Sequence, residues 1–296
     1  MSGHSHDHGP KNYNAAFAVG VVLNAAYIAV EVVIGIRIDS VALLADAGHN
    51  ASDVLSLLLA WGASAMSATK PTARRTYGMR RTSILASLTN AILLLIAIGA
   101  IAWEAVGRFG QEVAVQGATM AVVAGVGIAV NAGTAMMFAK GREKDINIRG
   151  AYLHMAADAA VSAGVMFAGM AIAITGLDWI DPVVSLVIVV VIAIGTWGLL
   201  RDSVNLAIDA VPAGIDPGEV RKFLLAEPGV VDVHDLHIWA MSTTETALTA
   251  HVVRGETELA NDFAITGGQE LHERFEISHT TIQVERLGSG CEGCET

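Results

Sequence analysis

Six long apolar runs restrict what this chain can fold into more than any other feature. They lie at about 14–36, 41–66, 83–106, 114–139, 150–175 and 179–200, and all are rich in Ala, Gly, Val, Ile and Leu. A helix needs about 20 mainly apolar residues to cross the hydrocarbon core of a bilayer, so each run is long enough to span it. None alternates with a period of two, and all are far longer than a strand. The abundance of small residues suits close helix packing in lipid. Composition agrees: 53% of residues are hydrophobic, only 16% are charged, and the mean hydropathy is +0.52. A soluble domain carries roughly 25% charged residues. The chain is therefore not expected to be disordered, a nucleic-acid binder or an ordinary cytosolic enzyme.

The loops set an orientation. Lys70, Arg74, Arg75, Arg80 and Arg81 lie between the second and third runs, and Lys140, Arg142, Lys144 and Arg149 between the fourth and fifth. The opposite loops hold only Arg37 and Arg108. The positive-inside rule puts both basic loops in the cytoplasm, and an even number of spans puts both termini there too. Met1 to Pro10 carries His4, His6 and His8 and no apolar run, so it does not read as a secretory signal peptide.

Charge divides the chain again. Residues 1–200 hold 12 acids and 12 bases, and the whole net charge of -11 falls in residues 201–296. The expected organisation is a cytoplasmic tail (1–13), a membrane all-α six-helix transmembrane bundle (14–208) and a cytoplasmic domain (209–296). In the last, the pattern predicts a helix at about 216–226 and strands at 230–239 and 246–254. A helix at about 257–274 and a strand at 279–286 follow. This αββαβ order describes a small α+β domain with helices on one face of a three-stranded sheet.

Ionisable residues at membrane depth are costly and usually functional. The second run contains Asp46, His49 and Asp53, and the fifth contains His154 and Asp158. His49-x-x-x-Asp53 and His154-x-x-x-Asp158 repeat one unit, and residues four apart share a helix face. Two such faces supply two imidazoles and two carboxylates, a tetrahedral set suited to Zn²⁺. With Asp39 and Arg149 as boundaries and a rise of about 1.5 Å per residue, His49 and Asp53 lie roughly 15 and 9 Å from the inner face of the core. His154 and Asp158 lie roughly 7 and 13 Å from it on the same rise. The quartet can therefore close, with His49 level with Asp158 and Asp53 level with His154. Asp46 reads as a supporting residue one turn away. Glu31 and Glu104 read as structural partners, and Asn24, Asn90 and Asn131 as interhelical hydrogen bonders.

Ala45-Asp46-Ala47-Gly48-His49-Asn50-Ala51-Ser52-Asp53, the second His-x-x-x-Asp unit, six spans and a polar tail together resemble the cation diffusion facilitator family. Val233-His234-Asp235-Leu236-His237-Ile238-Trp239, Ala250-His251-Val252 and Thr281-Ile282-Gln283-Val284-Glu285 are similar to the tail of its bacterial zinc/cobalt/cadmium efflux branch. The resemblance covers nearly the whole chain. It implies a homodimer in the bacterial inner membrane that exports divalent metal, Zn²⁺ by preference with Cd²⁺ and Co²⁺ as further candidates, in exchange for protons. It makes the quartet the transport site and the tail a ferredoxin-like, metallochaperone-like domain that binds a regulatory metal. No organic cofactor is implied.

In the tail, a hairpin centred between Ser242 and Thr243 places His234 opposite His251, close enough for one metal to bridge. His237, three residues from His234, faces the other side of a regular strand. By resemblance Glu285 is the third ligand. Relatives often carry a His where this chain has Ser278, which makes His279 a doubtful ligand, and Gln283 is a weaker candidate still. Cys291-x-x-Cys294 has the spacing of a zinc half-site, and His4, His6 and His8 could capture metal loosely. An intramembrane zinc hydrolase and a non-transporting metal sensor are the competing functions. The sequence lacks His-Glu-x-x-His and a phosphate-binding G-x-x-x-x-G-K-[ST] loop.

Overall fold

The computed structural model describes residues 14–67, 69–111, 113–139, 146–255 and 260–288. Six long helices come first: α1 (Asn14–Arg37), α2 (Val41–Ser67), α3 (Thr82–Gly107), α4 (Gly117–Phe138), α5 (Ile146–Thr175) and α6 (Ile180–Ala207). They are followed by α7 (Pro217–Ala226), β1 (Val230–Ala240), β2 (Thr246–Arg254), α8 (Ala260–Phe275) and β3 (Ile277–Arg286). Five of the six long helices are apolar enough to cross a membrane. The sixth is α2, where Asp46, His49 and Asp53 interrupt the apolar run. Large apolar side chains such as Trp103, Ile174 and Ile194 point outward, as lipid-facing surfaces require.

The described chain forms two compact units. One contains Ile92–Thr196 and the residues up to Leu57; the other contains Leu58–Ala91 and Trp197–Thr296. In the first, Tyr27, Leu43, Met120 and Val165 belong to a single buried cluster. Helices α4 and α5 pack with their backbones almost touching. A Cβ on Gly117 would lie 2.5 Å from the Gly169 carbonyl oxygen, and one on Gly169 would lie 2.7 Å from the Ala121 nitrogen. Only glycine permits that approach. The first turn of α2 is fixed by Ser40, whose Oγ accepts from the Leu43 amide at 3.2 Å, and by Asp181 of α6, which accepts from the Val41 amide at 2.8 Å.

In the second unit the sheet runs β1-β2-β3, antiparallel between β1 and β2 and parallel between β2 and β3. Helices α7 and α8 cover one face, and Val220, Leu224, Val233, Leu248 and Leu271 form the core between. Asp216 caps α7 by accepting from the Gly218 amide at 2.7 Å, and Pro217 follows as the first helical residue. The basic loop before α3, read from the sequence as an orientation signal, is also bonded within this unit. Arg81 pairs with Asp209, Arg80 with Glu245 at 3.2 Å, and the Thr243 amide donates to Ser83 Oγ at 3.1 Å.

Candidate functional site

His49 and Asp53 sit one turn apart on α2, and His154 and Asp158 one turn apart on the antiparallel α5. Their pairing is crossed. His49 Nε2 lies 3.3 Å from Asp158 Oδ1, and His154 Nε2 lies 3.4 Å from Asp53 Oδ2. Along each helix the distances are 4.0 Å (His49–Asp53) and 3.8 Å (His154–Asp158). Each imidazole thus touches both carboxylates. His49, Asp53 and Asp158 alone offer ligand atoms that all lie within 4.8 Å of one another. His154 stands outside that tighter group but adjoins both carboxylates, and two nitrogens and two oxygens of these types suit a four-coordinate divalent cation of the Zn²⁺ class.

The site opens at one end. A cavity of about 310 Å³ reaches Asp53, His154 and Asp158 past Leu57, Phe138 and Ala151. All three of these residues lie toward the basic-loop ends of their helices. Side-chain exposure follows the same direction, from 3% at Asp158 to 45% at His154. The ligand set is therefore reachable from the basic-loop side.

Behind the quartet, toward the α1–α2 turn, Asp46 is fully buried and accepts from Ser162 Oγ at 3.0 Å. Glu31 is also fully buried and accepts from Tyr27 Oη at 2.9 Å. Glu104, by contrast, bonds Arg108 at 3.0 Å. Asn24 donates to the Gly20 carbonyl at 3.0 Å and approaches Met155 Sδ at 4.0 Å. Asn131 differs from expectation: it is buried, yet its side chain makes no hydrogen bond among the described residues. Sequence reasoning passed over Tyr27 and Ser162, because an isolated hydroxyl in an apolar helix carries no periodic signal.

The tail gathers a second group. His234 pairs with His251 across the β1–β2 ladder, with ring centroids 5.3 Å apart. Glu285 on β3 is 2.9 Å from His251 Nδ1 and 3.6 Å from His234 Nε2. The expected direction of His237 is corrected. Between His234↔His251 and His237↔Thr249 the ladder slips by one residue, and Asp235 there has φ 50°. This bulge restores His237 to the same face as His234. It also turns Asp235 inward, 3.5 Å from His251 Nε2 and 2.9 Å from His237 Nε2. Asp235 was not anticipated, since a regular strand would have sent it to the core. His279 does not join this group; its ring meets Tyr77 edge-on at 5.7 Å. Gln283 pairs with His251 in the parallel ladder and donates to Glu285 at 3.0 Å. Cys291, Cys294, His4, His6 and His8 lie outside the described residues.

The run of long apolar helices and the small cytoplasmic-type α+β domain together define a multi-pass membrane protein. Residues 17–206 match the family described as cation efflux transmembrane domain, and residues 212–287 match the cation efflux protein cytoplasmic domain. The chain belongs to the cation efflux family, also called cation diffusion facilitators, in its zinc/cobalt/cadmium branch. It is 35% identical over 292 residues to the cation efflux system protein CzcD of Alcaligenes sp. strain CT14, covering 96% of this chain and 90% of that one. It is 35% identical over 290 residues to the zinc transporter ZitB of Escherichia coli strain K12 (95% and 91% covered). It is 31% identical over 288 residues to the cadmium, cobalt and zinc/H(+)-K(+) antiporter of Bacillus velezensis (96% and 92% covered). Among solved structures, the metal-bound C-terminal domain of the CzcD transporter from Cupriavidus metallidurans matches 24% of this chain and 99% of its own, at 42% identity and a TM-score of 0.23.

Proposed function

We propose that the protein exports divalent metal cations from the cytoplasm in exchange for protons, with Zn²⁺ the preferred substrate and Cd²⁺ and Co²⁺ related ones. The crossed His49–Asp158 and His154–Asp53 pairing carries this reading. A metal and protons compete for the same nitrogen and oxygen lone pairs, because the ligands bind metal only as neutral imidazole and ionised carboxylate. Loading metal at the quartet therefore expels protons, and reprotonation from the far side expels metal. The basic loops support a cytoplasmic location for the open end of the cavity and for both termini, in a bacterial inner membrane. The names of the relatives, efflux protein, zinc transporter and H(+)-coupled antiporter, support the same direction and chemistry. The matched cytoplasmic domain supports a homodimer. The His234–His251–Glu285 group supports a regulatory metal in the tail.

The test is flux in liposomes containing the full chain, with a pH gradient and dyes for Zn²⁺ and protons. Wild type should move Zn²⁺ against protons, and His154→Ala or Asp53→Ala should abolish both movements. The reading fails if no Zn²⁺ flux is seen, or if either variant transports as wild type does.

A further inference from the structure

The quartet uses four of the ionisable groups within the helices and leaves two others unexplained. Glu31 on α1 and Asp46 on α2 are both 0% exposed, and their carboxyl groups face one another across the two helices. Each has one anchored oxygen: Glu31 Oε1 takes the Tyr27 hydroxyl, and Asp46 Oδ2 takes the Ser162 hydroxyl. Each has a second oxygen with no donor at full hydrogen-bond geometry among the described residues, Glu31 Oε2 and Asp46 Oδ1, and the buried Asn50 side chain lies beside Glu31. No Lys or Arg among the described residues figures in the surroundings of either carboxyl. Asp46 faces His49 on its own helix and Asp158 on α5, and α4 contains no ionisable residue. Two carboxylates cannot both be charged in such a place without a cation. A single proton shared between the two carboxyls removes that conflict and gives the oxygens without a donor something to bond.

Position adds to chemistry. Asp46 lies one turn from His49 toward the α1–α2 turn, the end opposite the cavity mouth. We propose that the Glu31–Asp46 pair is a second cation station, which holds the exchanged proton on the far side of the metal quartet, with Glu31 as the group that gains and loses it. One proton moves from outside water onto a Glu31 oxygen and later leaves toward the quartet. This rests on the proton-exchange reading above.

The test uses the full chain in liposomes with Zn²⁺ and pH dyes. Glu31→Gln should bind Zn²⁺ as wild type does, yet lose the acceleration of Zn²⁺ movement by a pH gradient and release fewer protons per Zn²⁺. Glu31→Asp should restore the gradient response. Tyr27→Phe, which removes the hydroxyl donated to Glu31, should move the midpoint of transport against pH to a higher value. The station is overturned if Glu31→Gln keeps the full gradient response and proton yield, if it loses Zn²⁺ binding, or if Tyr27→Phe leaves the midpoint in place. If wild type itself moves Zn²⁺ without protons, the exchange reading falls and takes the station with it, so the two failures are distinguishable.

Discussion

Asp181 on α6 accepts a hydrogen bond from Ser40 Oγ at 2.5 Å, just ahead of the first turn of α2. The same carboxyl takes the Val41 and Ala42 amides at 2.8 and 3.3 Å. The helix that carries His49 and Asp53 is thus pinned at its start by a residue 140 positions later. Helix starts leave amides unpaired, and a buried carboxylate satisfies two of them here. Removing it leaves buried donors without partners, each costing about 1–3 kcal/mol. Asp181→Ala should lower the melting temperature of the purified protein and weaken transport, while Asp181→Asn, which keeps one acceptor oxygen, should fall between. Thermal unfolding followed by circular dichroism checks the order.

The Gly117–Gly169 contact gives a second expectation. Gly169→Ala pushes a methyl group into the Ala121 and Gly117 backbones at under 3.0 Å, and overpacking of this kind costs about 1–3 kcal/mol. Gly164→Ala, on the same helix but facing open space, should be close to neutral. A pair of melting curves separates a requirement for glycine at one position from a general intolerance of change in α5.

Replacing His49 by Asp turns a mixed nitrogen and oxygen set into one richer in oxygen. Harder cations favour oxygen ligands. His49→Asp should lose Zn²⁺ affinity by roughly tenfold or more relative to Mn²⁺. Competitive titration of the two ions against the purified variant reads the ratio directly.

The tail group should respond separately. In a His154→Ala background, where the intramembrane set is incomplete, His251→Ala or Glu285→Gln should abolish the stabilisation of the tail by added Zn²⁺. Binding confers about 2.7 kcal/mol at a hundredfold excess over the dissociation constant. Asp235→Asn should reduce this effect rather than remove it, because Asp235 reaches His251 from the side opposite Glu285. Thermal shift against Zn²⁺ concentration gives the comparison.

Much of this architecture is written in short-range pattern. Helix length and apolarity reveal the six long helices, and the rise per residue alone puts His49 level with Asp158. The assumed hairpin centre between Ser242 and Thr243 predicts the His234↔His251 pair, although the observed ladder is centred on Thr243 near the turn and reaches that pair through the bulge at Asp235. What the pattern misses are features that depend on tertiary partners. The bulge at Asp235 shifts parity by one residue, and nothing in Val233-His234-Asp235-Leu236 announces a positive φ at an Asp. Tyr27 and Glu31 share a helix face, but their link to Asp46 and Ser162 exists only once α1, α2 and α5 pack together. Asp181 looks like a loop acid flanking the last span until α2 is placed against it.

The cavity below the quartet has one more consequence. Its wall is overwhelmingly apolar until Asp53, His154 and Asp158 are reached, and its volume of about 310 Å³ has room for on the order of ten water molecules. On the proposed route, an entering ion would find few groups on the way to replace its hydration shell and would arrive still wrapped in water. If the quartet is the transport site as proposed, dehydration would then happen in one step there. Mg²⁺ surrenders its waters reluctantly, whereas Zn²⁺ exchanges them for nitrogen and oxygen ligands. On the proposed route, this apolar-walled approach would sort cations by how readily they undress, before ligand preference has any part in the choice.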